Sequence, residues 1–388
     1  MKKQAWLTSL LFFGALTGGM LLILWGEDEL FSELENRSLQ TRPRLTVSAL
    51  LEGDFAASVE TWMCDQLPLR QCLVEQKSAW EIALGRGESN GILLGKGQRL
   101  AKGACEIRLA NGARISALDA PDPIQVQESC RGIGRVSLLL GDRFTVLLTG
   151  RNVDVCSSAF PYPNRFGIAL EAQLQQELAD LPYVDTLSLL RERFDGGEEV
   201  YFRTDHHWTA LGAYYAYAEV MRSMGMEDEI IPAASFEKRR VSDSFYGSLW
   251  SSSGMHWIAP DSLELWYLGD EDCYTVTADG KESDGFYSLA WLERRDHYSV
   301  FLDGTHDVVT VTKNGEERPR LLLVKDSFAN SLAPFLARHF DLVLLNLSST
   351  RQDFTNVTER MEEWGADSCL LVYTVENLIS TDKLSRLR

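Results

Sequence analysis

Leu321-Leu322-Leu323-Val324-Lys325-Asp326-Ser327-Phe328-Ala329-Asn330-Ser331 changes character part-way along its length. Four consecutive apolar residues with no polar alternation predict a strand buried on both faces, as in parallel sheets. A helical pattern over 328–340 follows, so Ser327 stands where a strand gives way to a helix. Amides of such a turn point toward the helix N-terminus, where they can stabilise an oxyanion with the help of the helix dipole. A serine before a helix is more often only a cap. To act as a nucleophile it needs a base.

The same alternation extends outward from this stretch. The runs 136–140 and 144–148 predict strands, 166–181 a helix and 184–190 a further short element. Beyond Ser327, 342–345 predicts a strand, 357–364 a helix and 369–373 a final strand. Strands alternating with helices indicate an α/β fold with a parallel sheet and covering helices. A strand-rich, loop-rich insertion is expected at about 230–317, and a hairpin-like or looped one at about 104–131. The main domain is thus read as 85–388. Before it, 27–84 is read as a polar stalk and two helices, the apolar positions of 47–84 recurring near helical period with a break at Pro68.

The segment 1–26 is of a different kind. Lys2 and Lys3 precede an uncharged apolar run from Leu7 to Trp25, and Glu27, Asp28 and Glu29 follow it. About 20 apolar residues suffice to cross a bilayer core, and positive charge before the run predicts a cytoplasmic N-terminus with the body outside. No small-x-small cleavage site stands after it, so the expectation is an uncleaved signal anchor on a single-pass protein with its main domain extracytoplasmic.

Composition narrows the partners. The 388 residues, 45% hydrophobic, carry 38 basic against 56 acidic side chains and a formal charge of −18. That balance repels phosphate backbones and argues against nucleic acid. The seven cysteines form no CxxC pair and have no histidines at ligand spacing, which argues against structural zinc. Cys64 with Cys72, or Cys105 with Cys130, could close local loops as disulfides; ordinary buried thiols account for them equally well.

The densest polar cluster is Tyr201-Phe202-Arg203-Thr204-Asp205-His206-His207-Trp208-Thr209, running into a helical pattern over 211–224 with Thr209 as its N-cap. On an extended segment Asp205 and His207 share a face while His206 points away. The carboxylate can then accept the imidazole Nδ1 hydrogen and leave Nε2 as a base for a serine. A metal site would need a third and usually a fourth ligand. His256, His297, His306 and His339 are scattered, so neither metal nor cofactor is expected.

Taken together, Thr204-Asp205-His206-His207-Trp208-Thr209, Gly212-Ala213-Tyr214 and Lys325-Asp326-Ser327-Phe328-Ala329-Asn330-Ser331 resemble the DHHW proteins of bacterial cell envelopes. These are relatives of the alginate O-acetylation proteins in the SGNH/GDSL hydrolase-like superfamily. Glu35-Asn36-Arg37 with Pro43, Asp65-Gln66-Leu67-Pro68-Leu69-Arg70 and Tyr246-Gly247-Ser248-Leu249 resemble further landmarks of the family, in the expected order.

The resemblance implies a three-layer, flavodoxin-like α/β fold of SGNH-hydrolase type and a catalytic triad of Asp205, His207 and Ser327. It implies transfer of an acyl group, acetyl, onto a cell-envelope or secreted polysaccharide, with a membrane partner supplying the acyl group. Lys325 stands where the superfamily has a glycine. The Ser327 amide, Gly247 and Asn330 are the candidates for an oxyanion hole. Arg203 is either a contact for an anionic sugar or acyl donor, or an ion-pair residue; His206 is either structural or substrate-facing. Two alternatives stay open: an acetylesterase with the same triad, in which water replaces the sugar, and a noncatalytic glycan-binding or scaffolding protein of the envelope.

Overall fold

The run 321–324 is a central strand of an eight-stranded sheet in the computed structural model, which describes residues 2–108, 114–118, 121–160, 164–349 and 351–388. In chain order the strands are β1 (Phe144–Thr149), β2 (Tyr183–Asp185), β3 (Tyr274–Ala278), β4 (Lys281–Asp284), β5 (Val308–Lys313), β6 (Arg320–Lys325), β7 (Asp341–Asn346) and β8 (Ser368–Thr374). In space they lie in the order β4-β3-β5-β7-β6-β8-β1-β2. The five strands from β7 to β2 are parallel. β5, β3 and β4 extend the sheet by antiparallel pairing beyond β7.

The parallel strands are apolar on both sides because both sides are covered. Leu321 and Leu323 pack with α3 (Thr186–Asp195), α4 (Ala210–Ser223) and α5 (Ala329–Leu336). Leu322 and Val324 face the opposite way, against α1 (Pro123–Leu140), α2 (Arg165–Glu177), α6 (Val357–Trp364) and α7 (Val375–Ser380). β3 instead buries Tyr274, Val276 and Ala278 and leaves Thr275 and Thr277 half-buried, the alternation of a strand with one dry face. Three strands of the expected 230–317 insertion therefore belong to the main sheet, while 237–245 and 261–267 pair as a separate two-stranded ribbon.

One predicted strand is wrong. The run 136–140 is the last turn and a half of α1, whose buried positions Val126, Cys130, Ile133, Val136 and Leu140 follow the helical period. Leu138 and Leu139 project outward, 88% and 61% exposed. The helix signal lies upstream, where Asp122 caps the Ile124 amide and Pro123 takes the first turn. Of the 104–131 insertion, 104–108 pairs with 114–118 as a hairpin; its positions 109–113 and 119–120 lie outside the described residues.

The chain divides into two units, residues 1–90 with 251–257, and residues 91–250 with 258–388. In the first unit the helix Lys2–Trp25 contains a 20-residue stretch, Trp6–Trp25, long and apolar enough to cross a membrane. Three helices rather than two follow, Val47–Glu52, Asp54–Asp65 and Arg70–Ala83, because Gly53 at φ 84° interrupts the first two. Two sequence landmarks meet here: Arg37 grips the Asp65 carboxylate with both terminal nitrogens at 3.0 and 2.6 Å, and Glu35 takes ion pairs from Arg37 and Arg70. Cys64, Cys72 and Cys130 are free thiols, so neither suggested disulfide is present; the side chain of Cys105 lies outside the described residues.

Candidate active site

The parallel strands end on the side where open α/β sheets place ligands, and β6 ends there in Lys325-Asp326-Ser327. The turn after β6 is held rigidly. Asp326 accepts from the amides of Phe328 (3.1 Å) and Thr374 (2.7 Å) and from Asn377 Nδ2 (2.9 Å). Burial, its largest influence, raises the Asp326 pKa above the usual carboxylate range despite these donors. Lys325 is wholly buried, and its ammonium donates to Asn330 Oδ1 at 2.8 Å. Burial lowers the lysine pKa to about 8, with Asp326 pulling the other way.

The polar cluster 201–209 is a tight hairpin, not an extended strand. Tyr201 and Trp208 pair antiparallel, and the Phe202 amide donates to the His207 carbonyl at 3.1 Å. Arg99 supports the turn from below through the carbonyls of Tyr201 and Phe202, both at 3.0 Å. Asp261 ties it from the side, accepting from the amides of Arg203 (3.1 Å) and Thr204 (2.8 Å) and from Thr204 Oγ1 (2.6 Å). Asp205 and His207 therefore meet for a reason other than strand alternation. The Asp205 carboxylate caps the His207 amide at 3.0 Å, folding the chain back so that Oδ1 also reaches His207 Nδ1 at 2.5 Å.

His207 Nε2 then lies 2.7 Å from Ser327 Oγ. Asp205 and His207 are buried while Ser327 is half-buried, so a reactant can reach the serine. Oδ2 of Asp205 accepts from the amide and hydroxyl of Ser248, at 2.7 and 2.9 Å. Burial, the largest influence on Asp205, raises its pKa; the imidazoles of His206 and His207 and the Ser248 amide outweigh it and hold the group well below the usual range. For His207, burial and then the neighbouring His206 push the pKa down to about 4, against the pull of Asp205. Chemically this is a neutral imidazole oriented by a carboxylate and aimed at a hydroxyl. Asp205, His206 and His207 sit close enough to be considered as metal ligands. Asp205 and His207 are, however, already spent on one another at hydrogen-bond distance, and Asp205 Oδ2 is spent on Ser248.

The remaining candidates separate. Gly247 cannot offer its amide to an oxyanion, because that amide donates to Thr204 Oγ1 at 3.1 Å. Its lack of a side chain is what the site uses: a Cβ there would stand 2.2 Å from Asp205 Cβ. Asn330 is equally committed, accepting from Lys325 and donating to the Gly304 carbonyl at 3.0 Å. Arg203 is an ion-pair residue, with Nε 3.2 Å from Asp261 Oδ1 and Nη2 2.6 Å from the Pro260 carbonyl. His206 does not point away: its ring lies over that of His207, centroids 3.9 Å apart, and Nδ1 contacts Ser248 Oγ at 2.7 Å.

Tyr298, like Asp261, is a residue that sequence reasoning missed. Its ring stacks on His207 at 3.7 Å and 10°, and its hydroxyl lies 3.2 Å from the Ser327 carbonyl and 3.0 Å from Ser331 Oγ. It sits in a single short turn inside the insertion, where no periodicity marks it.

Residues 186–346 match the DHHW protein family. Over that span the chain is similar to the DHHW proteins. Both polar motifs fall inside it. Among solved structures, a DHHW family protein from Eubacterium siraeum DSM 15702 is similar at 16% identity and a TM-score of 0.55, over 77% of this chain and 95% of that one. PatB1 from Bacillus cereus, solved with a sulfonyl adduct, is similar at 18% identity and a TM-score of 0.58, over 74% of this chain and 99% of that one. These likenesses show the fold. No curated protein matches the chain.

Proposed function

We propose that the chain is an O-acyltransferase of SGNH type that carries acetyl groups onto a cell-envelope or secreted polysaccharide, anchored by Trp6–Trp25 with its main domain outside the membrane. One observation carries the reading: His207 Nε2 stands 2.7 Å from Ser327 Oγ while Asp205 engages Nδ1. His207 takes the Ser327 proton as Oγ attacks the acyl carbonyl, then returns it to the leaving group. A sugar hydroxyl, deprotonated by the same histidine, attacks the acyl-enzyme and frees Ser327. Asp205 orients His207 and stabilises the imidazolium that forms in each half-reaction.

The oxyanion hole is narrowed rather than complete. The Ser327 amide meets no acceptor among the described residues, whereas the Gly247 amide and the Asn330 side chain are both engaged. The acyl donor outside the membrane is proposed to be a membrane protein.

Full-length chain in detergent micelles is incubated with 4-nitrophenyl acetate. Turnover is expected, and Ser327→Ala should lower it on the order of 10³-fold or more. An unchanged rate in that variant rejects Ser327 as the nucleophile. Release of free acetate with no acetylated sugar, even at saturating glycan, would assign the same triad to an esterase.

A further inference from the structure

The hydrogen bonds around Ser248 assign a tautomer to His206. Ser248 Oγ lies 2.9 Å from Asp205 Oδ2 and 2.7 Å from His206 Nδ1. The carboxylate can only accept, and two oxygens that close without a proton between them would repel, so the single hydroxyl proton of Ser248 belongs to Asp205. Ser248 Oγ must then accept from His206, whose proton sits on Nδ1. The charge of Asp205 favours the same arrangement, its Oδ1 being 3.7 Å from His206 Nδ1. In the neutral ring the lone pair is therefore on His206 Nε2. The ring is 37% exposed, unlike that of His207, and it lies 5.9 Å from the ring of Phe328, the residue after Ser327.

One buried carboxylate thus sets two imidazoles in the same tautomer, His207 directly and His206 through Ser248. We propose that His206 Nε2 is an acceptor subsite for a second hydroxyl of the incoming sugar, so that the enzyme favours acceptors with vicinal hydroxyls. The proposal rests on the acyl-transfer reading above. In it the attacking hydroxyl gives its proton to His207 Nε2, and the neighbouring hydroxyl donates a hydrogen bond to His206 Nε2 without losing its proton. The two rings are neighbours, their centroids 3.9 Å apart and their planes tilted by 36°, so one acceptor sugar can engage both. His207 remains the only base, so the proton balance of the transfer step is unchanged. His206 selects the acceptor and is not the base in either half-reaction.

Two measurements test this on the full-length chain in micelles. The chain is labelled with 15N at its six histidines, and long-range 1H–15N spectra of Ser327→Ala are recorded with and without a methyl glycoside carrying vicinal hydroxyls. The expected result is a neutral His206 protonated on Nδ1 whose Nε2 resonance moves as the glycoside is added. A His206 protonated on Nε2, or one indifferent to the glycoside, overturns the proposal whether or not the chain proves to be an acyltransferase. The second measurement compares transfer from the acyl-enzyme to ethylene glycol and to ethanol, beside hydrolysis to water, in wild type, His206→Asn and Ser248→Ala.

Wild type should favour the diol, and both variants should lose that preference about tenfold, read as the ratio of diol to ethanol transfer within each protein. A preference that survives in His206→Asn, or equal losses in diol transfer, ethanol transfer and hydrolysis, assigns His206 a structural role and contradicts the subsite. Absence of any acyl-enzyme in wild type would sink the acyl-transfer reading instead and would leave the spectroscopic result to decide on hydroxyl binding.

Discussion

Trp208 Nε1 donates to Ser331 Oγ at 2.8 Å, a buried hydrogen bond that stitches the hairpin of His207 to the first turn of the helix behind Ser327. Ser331 lies 123 residues from Trp208 in the chain, yet this bond fixes the distance between the proposed base and nucleophile. Tyr298 closes the same network from a third segment, its hydroxyl 3.0 Å from Ser331 Oγ.

Trp208→Phe keeps the aromatic bulk and removes the donor. It should cost about 1–3 kcal/mol, the usual penalty for losing a buried partner, and slow acetyl-ester turnover more than it lowers stability alone would explain. Urea unfolding and turnover of the folded fraction check this. A stable variant with wild-type turnover would show that the bond does not position the pair.

The pH dependence follows from His207. Catalysis requires the neutral ring, and a pKa lowered to about 4 keeps it neutral well below the ordinary histidine value of 6.5. The acid limb of kcat/KM should therefore fall as pH drops through about 4 rather than through 6.5. The same shift has a stability sign. The folded state resists protonation, so stability attributable to His207 is full above 6.5 and is lost as pH falls from there through about 4. A kinetic midpoint at or above 6.5 would contradict the burial argument.

Gly247→Ala tests why that residue is a glycine. Its Cβ would press within 2.2 Å of Asp205 Cβ and 2.6 Å of Asp205 Oδ2, displacing the carboxylate that orients His207. Turnover should drop on the order of 10²-fold, since small displacements of catalytic groups have effects of that size. The backbone amide survives the substitution. A near wild-type rate would mean that the contact relaxes harmlessly.

The parts of this architecture legible in the sequence were those with unbroken patterns. The runs 321–324 and 342–345 are apolar without interruption and are strands; 357–364 has a clear helical period and is a helix. The run 136–140 is just as apolar, and only its upstream cap at Asp122 tells that two of its leucines face outward on a helix. In the site, spacing singled out Asp205 and His207, yet the turn that joins them depends on Asp205 capping the His207 amide, which alternation could not foresee. Asp261, Ser248 and Tyr298 all come from the insertion, at the start of a ribbon strand, at the start of a short helix and in a single helical turn. Their roles arise from long-range contacts, for which a single chain carries no local signal.

The central claim is that His207 makes Ser327 a nucleophile. The full-length chain is treated with a sulfonyl fluoride, and the modified residue is located by peptide mass spectrometry in wild type and in His207→Gln. The account predicts one sulfonyl group on Ser327 in wild type and at least a hundredfold slower labelling in the variant. Labelling at another residue, or Ser327 labelling at the same rate in both proteins, would contradict it.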